Sequence, residues 1–257
     1  MEKVRLGGMA LANGVLVHGP TAWGCAVRLD DGQIRIASGR KRQFAPTVGT
    51  PFVRGPLRLA EAFALLPDVK HRLPEARMPF QRPAVLTAAA AASLIGGAAR
   101  RSSLPAGMRE LVAAFASLVP AFVALRSEDL ASYHGAEHIS IGTYERDGER
   151  APKEHDRCGS HLVGPLLLTT TVAGALTAGV PRRARPVARL AAVTGAVGAS
   201  IEIFAWMTRN PDRRLARALA RPGHELQAHV STAEPSPEQL EVAEAALAAC
   251  LELEESP

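Results

Sequence analysis

Aromatic residues are scarce: Phe, Trp and Tyr make up 4% of the 257 residues, too few for the stacking platforms that bind single-stranded nucleic acid. No nucleic-acid partner is expected. Cysteine is scarcer still. Cys25, Cys158 and Cys250 are odd in number and widely separated, which argues against a disulfide framework and for a reducing compartment. The opening MEKVRLGGMALANG lacks a long apolar core, so no amino-terminal signal peptide is expected. Lysine is outnumbered by arginine. The net charge of +5 and the pI near 9.6 therefore rest mainly on guanidinium groups, which suit phosphate, carboxylate or anionic lipid.

What the chain does have is a concentration of chemistry in two stretches, Tyr133-His134-Gly135-Ala136-Glu137-His138 and His155-Asp156-Arg157-Cys158-Gly159-Ser160-His161. They hold four of the eight histidines. His134 and His138 are four apart, so on a helix their rings share one face and can share one metal ion. Glu137 directly precedes the second histidine, giving H-x-x-E-H, the order of inverted zincins, in which the glutamate acts on a metal-bound water. His155 and Cys158, in a polar loop, have a three-residue gap at which both side chains can turn toward the same ion. Each histidine alone is compatible with an ordinary hydrogen-bonded role. The cluster favours a metal, with zinc as the expected ion.

Residues 1-56 read as a small β-rich head. Trp23, Cys25, Val27 and Leu29 share one parity, Asp30-Asp31-Gly32 makes a turn, and Ile34 and Ile36 resume the alternation. The glycine-rich stretch from Gly7 to Gly14 suits close approach of backbone to a ligand or another segment, as well as a plain connection. Residues 57-81 form an amphipathic, interfacial helix and linker, the helix running from Leu57 to Leu66 and ended by Pro67. Residues 82-208 carry four apolar segments: Ala84 to Ala99, Leu111 to Leu125, Leu162 to Val180, and about Val187 to Thr208. At ~1.5 Å per residue the first two reach about 24 Å, short of a hydrocarbon core of about 30 Å. The third, without any charge, is the best spanning candidate. A soluble Ala-rich bundle is the rival, supported by a mean hydropathy of only +0.04; arginines at the segment ends argue against it.

Four spans place the head, the 126-161 loop and the 209-257 tail on one side. Lys and Arg near the spans number 14 on that side against six on the other, with Arg189 near the boundary. The excess marks the cytosolic side. The expected location is the cytoplasmic membrane, multi-pass, with the amino terminus, the histidine-rich loop and the carboxy terminus cytosolic. Glu202, the one acid deep in the fourth segment, reads either as functional or as a snorkelling or salt-bridged group near Arg209. In the tail, Ser236-Pro237-Glu238-Gln239 is a capping box with proline at the first helical position. An amphipathic helix over 237-253 follows, with Leu240, Ala243, Leu247 and Leu251 on its packing face.

YHGAEH, HDRCG, IEI in the last span and STAEPSPEQLEVAEAAL resemble the YqhQ-like family of bacterial membrane proteins, a group of unknown function described as predicted metal-dependent enzymes. The pattern GG-x-A-x-x-x-GV-x-x-x-GP from Gly7 to Pro20, and PFVRG from Pro51 to Gly55, extend the likeness over nearly the whole chain. The resemblance implicates His134, Glu137, His138, His155, Arg157 and Cys158. Met9, Asn13 and His18 depart from it, standing where the family usually has glutamine, glutamate and arginine. If those polar groups serve the site, the chain is a diverged member.

The expected fold is mainly α, a multi-pass membrane helical bundle of about four spans with the β-rich head and the carboxy-terminal helix. The expected function is that of a metal-dependent integral membrane hydrolase. His134 and His138, with one or both of His155 and Cys158, are its candidate ligands to zinc, Glu137 takes the proton of the activated water, and Arg157 faces developing negative charge. The alternative is a non-enzymatic membrane scaffold or regulator with a closed His/Cys zinc site. A redox or sensing role for Cys158, its thiolate favoured by Arg157, is a third. The bilayer is the expected partner, and a homo-oligomer is compatible.

Overall fold

The computed structural model describes residues 3-44, 48-181 and 183-256, leaving aside the side chain of Glu128. The protein is mainly helical with one small sheet. Strands β1 (Gly7–Leu11), β2 (Gly14–His18), β3 (Ala22–Arg28) and β4 (Ile34–Arg40) form an antiparallel meander in sequence order. Its register pairs Leu16 with Cys25 and Ala26 with Ile36. The alternation read from the sequence is real, yet β3 is buried on both faces. Leu11, Leu16, Trp23, Cys25 and Val27 meet Leu65, Leu66 and Val69 on one side. Ala10, Val15, Val17 and Ala26 meet residues of two later helices, including Tyr133, Val242 and Ala246, on the other. The head is therefore the middle layer of three.

Helix α1 runs Arg54–Phe63 and α2 runs Leu65–Arg72. This corrects the single helix expected from Leu57 to Leu66. The chain enters helix at Arg54, breaks at Ala64 and restarts, and Pro67 lies in the first turn of α2. A proline there sacrifices no intrahelical hydrogen bond, so it opens a helix where the sequence reading took it to close one.

Four helices are long and apolar enough to cross a membrane: α3 (Pro83–Arg101), α4 (Ala106–Leu125), α6 (Val163–Thr177, preceded by a 3₁₀ turn at Gly159–Leu162) and α7 (Arg185–Arg209). The four stretches run 19, 20, 19 and 25 residues, so the first two are no shorter than the third. At ~1.5 Å per residue α3 and α4 reach about 28 and 30 Å, whereas α6 proper has 15 residues. Small residues face inward, among them Ala92, Gly96, Ala113, Ala116, Ala196 and Gly198. Large apolar ones face outward: Leu94, Phe115, Val172, Leu176, Val187 and Leu190 are exposed. This is the inverse of the side-chain distribution of a water-soluble bundle. Glu110, left out of the second apolar segment, belongs to α4; it is buried and meets Arg100 at 3.0 Å and Arg189 at 3.9 Å.

The remaining elements gather where α4 and α7 end and α6 begins: α5 (Glu128–Glu145), α8 (Arg214–Leu226), a π-helical turn (Gln227–Ser231) and α9 (Pro237–Glu255). The capping box forms as expected, with Ser236 N donating to Gln239 Oε1 at 2.9 Å and Gln239 N to Ser236 Oγ at 3.3 Å. The core face of α9 is rotated from the one expected. Val242, Ala243, Ala246, Leu247 and Cys250 are buried, while Leu240 and Leu251 are only half-buried. The rotation follows from close contact with β3, where a Cβ on Gly24 would lie 2.4 Å from Ala246 O.

Candidate metal centre

α5 carries His134, Glu137 and His138 one turn apart on a single face, as the spacing requires. What the sequence did not disclose is how their rings are held. His134 Nδ1 lies 2.7 Å from Ser231 O, and His138 Nδ1 lies 2.7 Å from Lys153 O. A carbonyl only accepts, so both Nδ1 atoms carry protons. In the neutral rings this leaves the Nε2 lone pairs free. His138 is strongly kept neutral: burial above all, and then the neighbouring His134, push its pKa down to about 2.

Cys158 joins the pair from the 155-160 loop, its Sγ 3.4 Å from His134 Nε2. One donor atom from each of His134, His138 and Cys158 lies within 4.8 Å of the others. Ligands of a tetrahedral zinc stand about 3.5 Å apart, given bonds of about 2.0 to 2.3 Å. The His134–Cys158 distance already matches, and two imidazoles of fixed tautomer plus a thiol are a zinc donor set. The residues fit the ion. Glu137 is buried beside them, with Oε2 4.0 Å from His134 Nε2. Burial pushes its carboxyl up to about 7, Cys158 adds to the rise, and His134 opposes it. Gly8 of β1 makes room for it, since a Cβ there would lie 2.4 Å from Glu137 Oε1. The glycine-rich stretch of the head thus serves close approach to another segment.

His155 stands outside this triangle. Its Nε2 lies 3.2 Å from Glu145 Oε2 and its Nδ1 accepts from Arg157 N at 3.3 Å. Arg157 turns to the same carboxylate, pairing with Glu145 Oε1. Arg157 is thus withdrawn from Cys158, and burial raises the Cys158 thiol above its ordinary range, against the bond from Ser160 N. The thiolate-stabilising role expected of Arg157 is not what the geometry provides.

Two further residues organise the site. Glu145 anchors His155 and Arg157. Gln227, fully buried, accepts from His155 N at 2.8 Å and donates to Ser160 Oγ at 2.8 Å; its Nε2 lies 3.0 Å from His161 Nε2. Because His161 Nδ1 faces Ala220 O at 3.1 Å, that ring donates there and accepts from Gln227. Burial lowers its pKa. The fourth histidine of the cluster is a packing group.

A cavity of about 510 Å³ opens beside the triangle. Its polar lining comes from α5 and the 155-160 loop, joined by His18; its apolar lining includes Leu16, Leu59, Phe63, Leu125 and Ile141. Of the three departures from the family pattern, Met9 and His18 line this cavity. Asn13 does not: it ties the head together, with Nδ2 reaching Arg28 O and Glu75 O and Oδ1 accepting from Arg77 N at 2.9 Å.

Comparison with known proteins agrees with the sequence resemblance. The model of the family described as a protein of unknown function (DUF1385) matches residues 110-253, more than half of the chain. The match spans α4 through most of α9 and so contains every residue of the triangle. No curated protein and no solved structure matches.

Proposed function

The chain belongs to this DUF1385 family, and from that premise we propose that it is a metal-dependent hydrolase of the cytoplasmic membrane with its site on the cytosolic side. Membrane insertion is supported by the outward-facing large apolar residues of α3, α4, α6 and α7. The orientation follows from the excess of Lys and Arg on the side of the head, the 126-161 loop and the tail.

The observation that carries the enzymatic reading is the donor count. Three donors converge, and His155, which would close a structural four-ligand site, is held by Glu145. Catalytic zinc sites have three protein ligands, structural ones four. A zinc ion held by His134, His138 and Cys158 supplies Lewis acidity toward water and toward a substrate carbonyl or phosphoryl oxygen.

The chain's own residues account for the rest. Ser231 O and Lys153 O hold the imidazoles in the ligating tautomer. Glu137, buried at the cavity wall with a carboxyl near neutrality, is matched to accept and return a proton at pH 7. Glu137→Gln tests the reading: metal content should be unchanged while hydrolysis of the protein's substrate falls by at least about a hundredfold, the lower range of general acid–base contributions. Unchanged turnover would reduce the site to a structural one.

A further inference from the structure

We infer, resting on the hydrolase reading above, that the substrate is a membrane amphiphile whose long apolar chain enters the cavity from the bilayer between α1 and α4.

The first ground is the lining. Apart from His18, the polar side chains belong to α5 and the 155-160 loop, and apolar groups from β1, β2, α1 and α4 form the other walls. A site of this size with a small polar cluster set in apolar walls suits a molecule with one reactive polar end and an extended apolar remainder. A soluble polar substrate would leave those walls unpaired with anything it carries.

The second ground is the position of the mouth. Leu59 and Phe63 of α1 line the cavity and are yet 42% and 51% exposed. Ala121 of α4 likewise lines the cavity and lies at the surface. Phe52, just before α1, is also exposed. On the other face Arg54 meets Glu202 of α7, with Nε–Oε1 at 2.9 Å and Nη2–Oε2 at 2.6 Å.

The third ground is depth. A Cβ on Gly198 would lie 2.4 Å from Phe52 O, and one on Gly55 would lie 2.5 Å from Ile201 Cγ2. Gly198 is eleven residues from Arg209 at the end of α7, or about 16 Å along the helix. The start of α1 is thus sunk to the level of the spanning helices and fastened there. Phe52 meets α7 through its backbone, its N donating to Glu202 Oε1 at 3.4 Å. Ala121 is four residues from the end of α4 at Leu125, about 6 Å along the helix, so the opening beside it, Leu59 and Phe63 would face acyl chains just inside the bilayer surface.

The test uses the full chain in vesicles of phosphatidylethanolamine and phosphatidylglycerol, with a phosphatidylglycerol carrying a photoactivatable diazirine at the end of one acyl chain. Labelled peptides are identified by mass spectrometry, and metal content is measured on the same preparations. Label is expected at Met9 and Leu16, strand residues outside the four spans, as well as at outward-facing Leu94 and Leu176. Ala121→Trp and Ala62→Trp, one on each side of the mouth, should cut the Met9 and Leu16 label by about tenfold, the scale on which overpacking closes a space. The Leu94 label should stay constant and so report correct insertion. Label confined to Leu94 and Leu176, or Met9 and Leu16 label indifferent to both tryptophan variants, would overturn the inference. His138→Ala separates this result from the hydrolase reading: cavity label that persists without metal upholds the amphiphile site and leaves catalysis to be judged by the metal measurement.

Discussion

His155 gives its Nε2 to Glu145, at 3.2 Å, and not to the triangle formed by His134, His138 and Cys158. Of the two loop residues that the spacing offers as ligands beside His134 and His138, Cys158 converges with them and His155 lies against Glu145. His155→Ala should keep metal bound, with affinity reduced by less than about a hundredfold, the range of outer-shell partners. His134→Ala, His138→Ala and Cys158→Ala should each lose it. Competition with a chromogenic chelator measures all four. Loss of metal in His155→Ala equal to that of His134→Ala would return His155 to the ligand set.

Gln227 joins the backbone of His155, the hydroxyl of Ser160 and the ring of His161. Gln227→Leu keeps the volume but leaves buried donors and acceptors unpaired, at about 1–3 kcal/mol for each group. Its thermal unfolding should shift downward by several degrees and its metal affinity should fall, because the loop bearing Cys158 loosens. A variant with unchanged unfolding and unchanged affinity would show that Gln227 does not position the site.

The spacing of H-x-x-E-H and the position of Cys158 were legible because helix geometry and short loops act over a few residues. The four apolar helices, the β3–β4 hairpin and the capping box are legible for the same reason, whereas β1 and β2 are masked by the glycines of Gly7 to Gly14. What else was not legible depends on distance in space. Glu145 lies 3.2 Å from His155 Nε2, Gln227 approaches the loop from 72 positions away, and Arg54 finds Glu202 across 148. Pro67 is ambiguous in the sequence because proline is equally at home just after a helix and in its first turn. The core face of α9 was misplaced because Gly24 admits its backbone close to β3, a contact no periodicity encodes.

Arg54 and Glu202 fasten α1 to α7. Glu202→Gln and Arg54→Gln should each lower the thermal midpoint, by more than the Arg54→Gln/Glu202→Gln pair, because each single change leaves the other charge uncompensated. Unfolding of the detergent-solubilised protein measures the cycle. Strictly additive losses would mean that the pair is not coupled.

His18 lines the cavity, and its pKa is pushed down to about 4 by burial and then by Lys41, with Gly19 and Glu254 acting against them. The unfolded chain then binds more protons than the folded one between pH 6.5 and about 4. The stability owed to a neutral His18 is therefore present above pH 6.5 and lost as pH falls through that window. His18→Gln should remove this component, so that its thermal midpoint falls less steeply than that of the parent chain between those limits. Parallel profiles would contradict the burial of a neutral imidazole.

A metal held by three side chains fixes what the purified protein should contain. Plasma emission spectroscopy on the parent chain and on His134→Ala, both purified without added metal, should find about one equivalent of zinc in the first and little in the second, since a single missing ligand breaks a three-ligand site. Equal, near-zero metal in both would contradict the account.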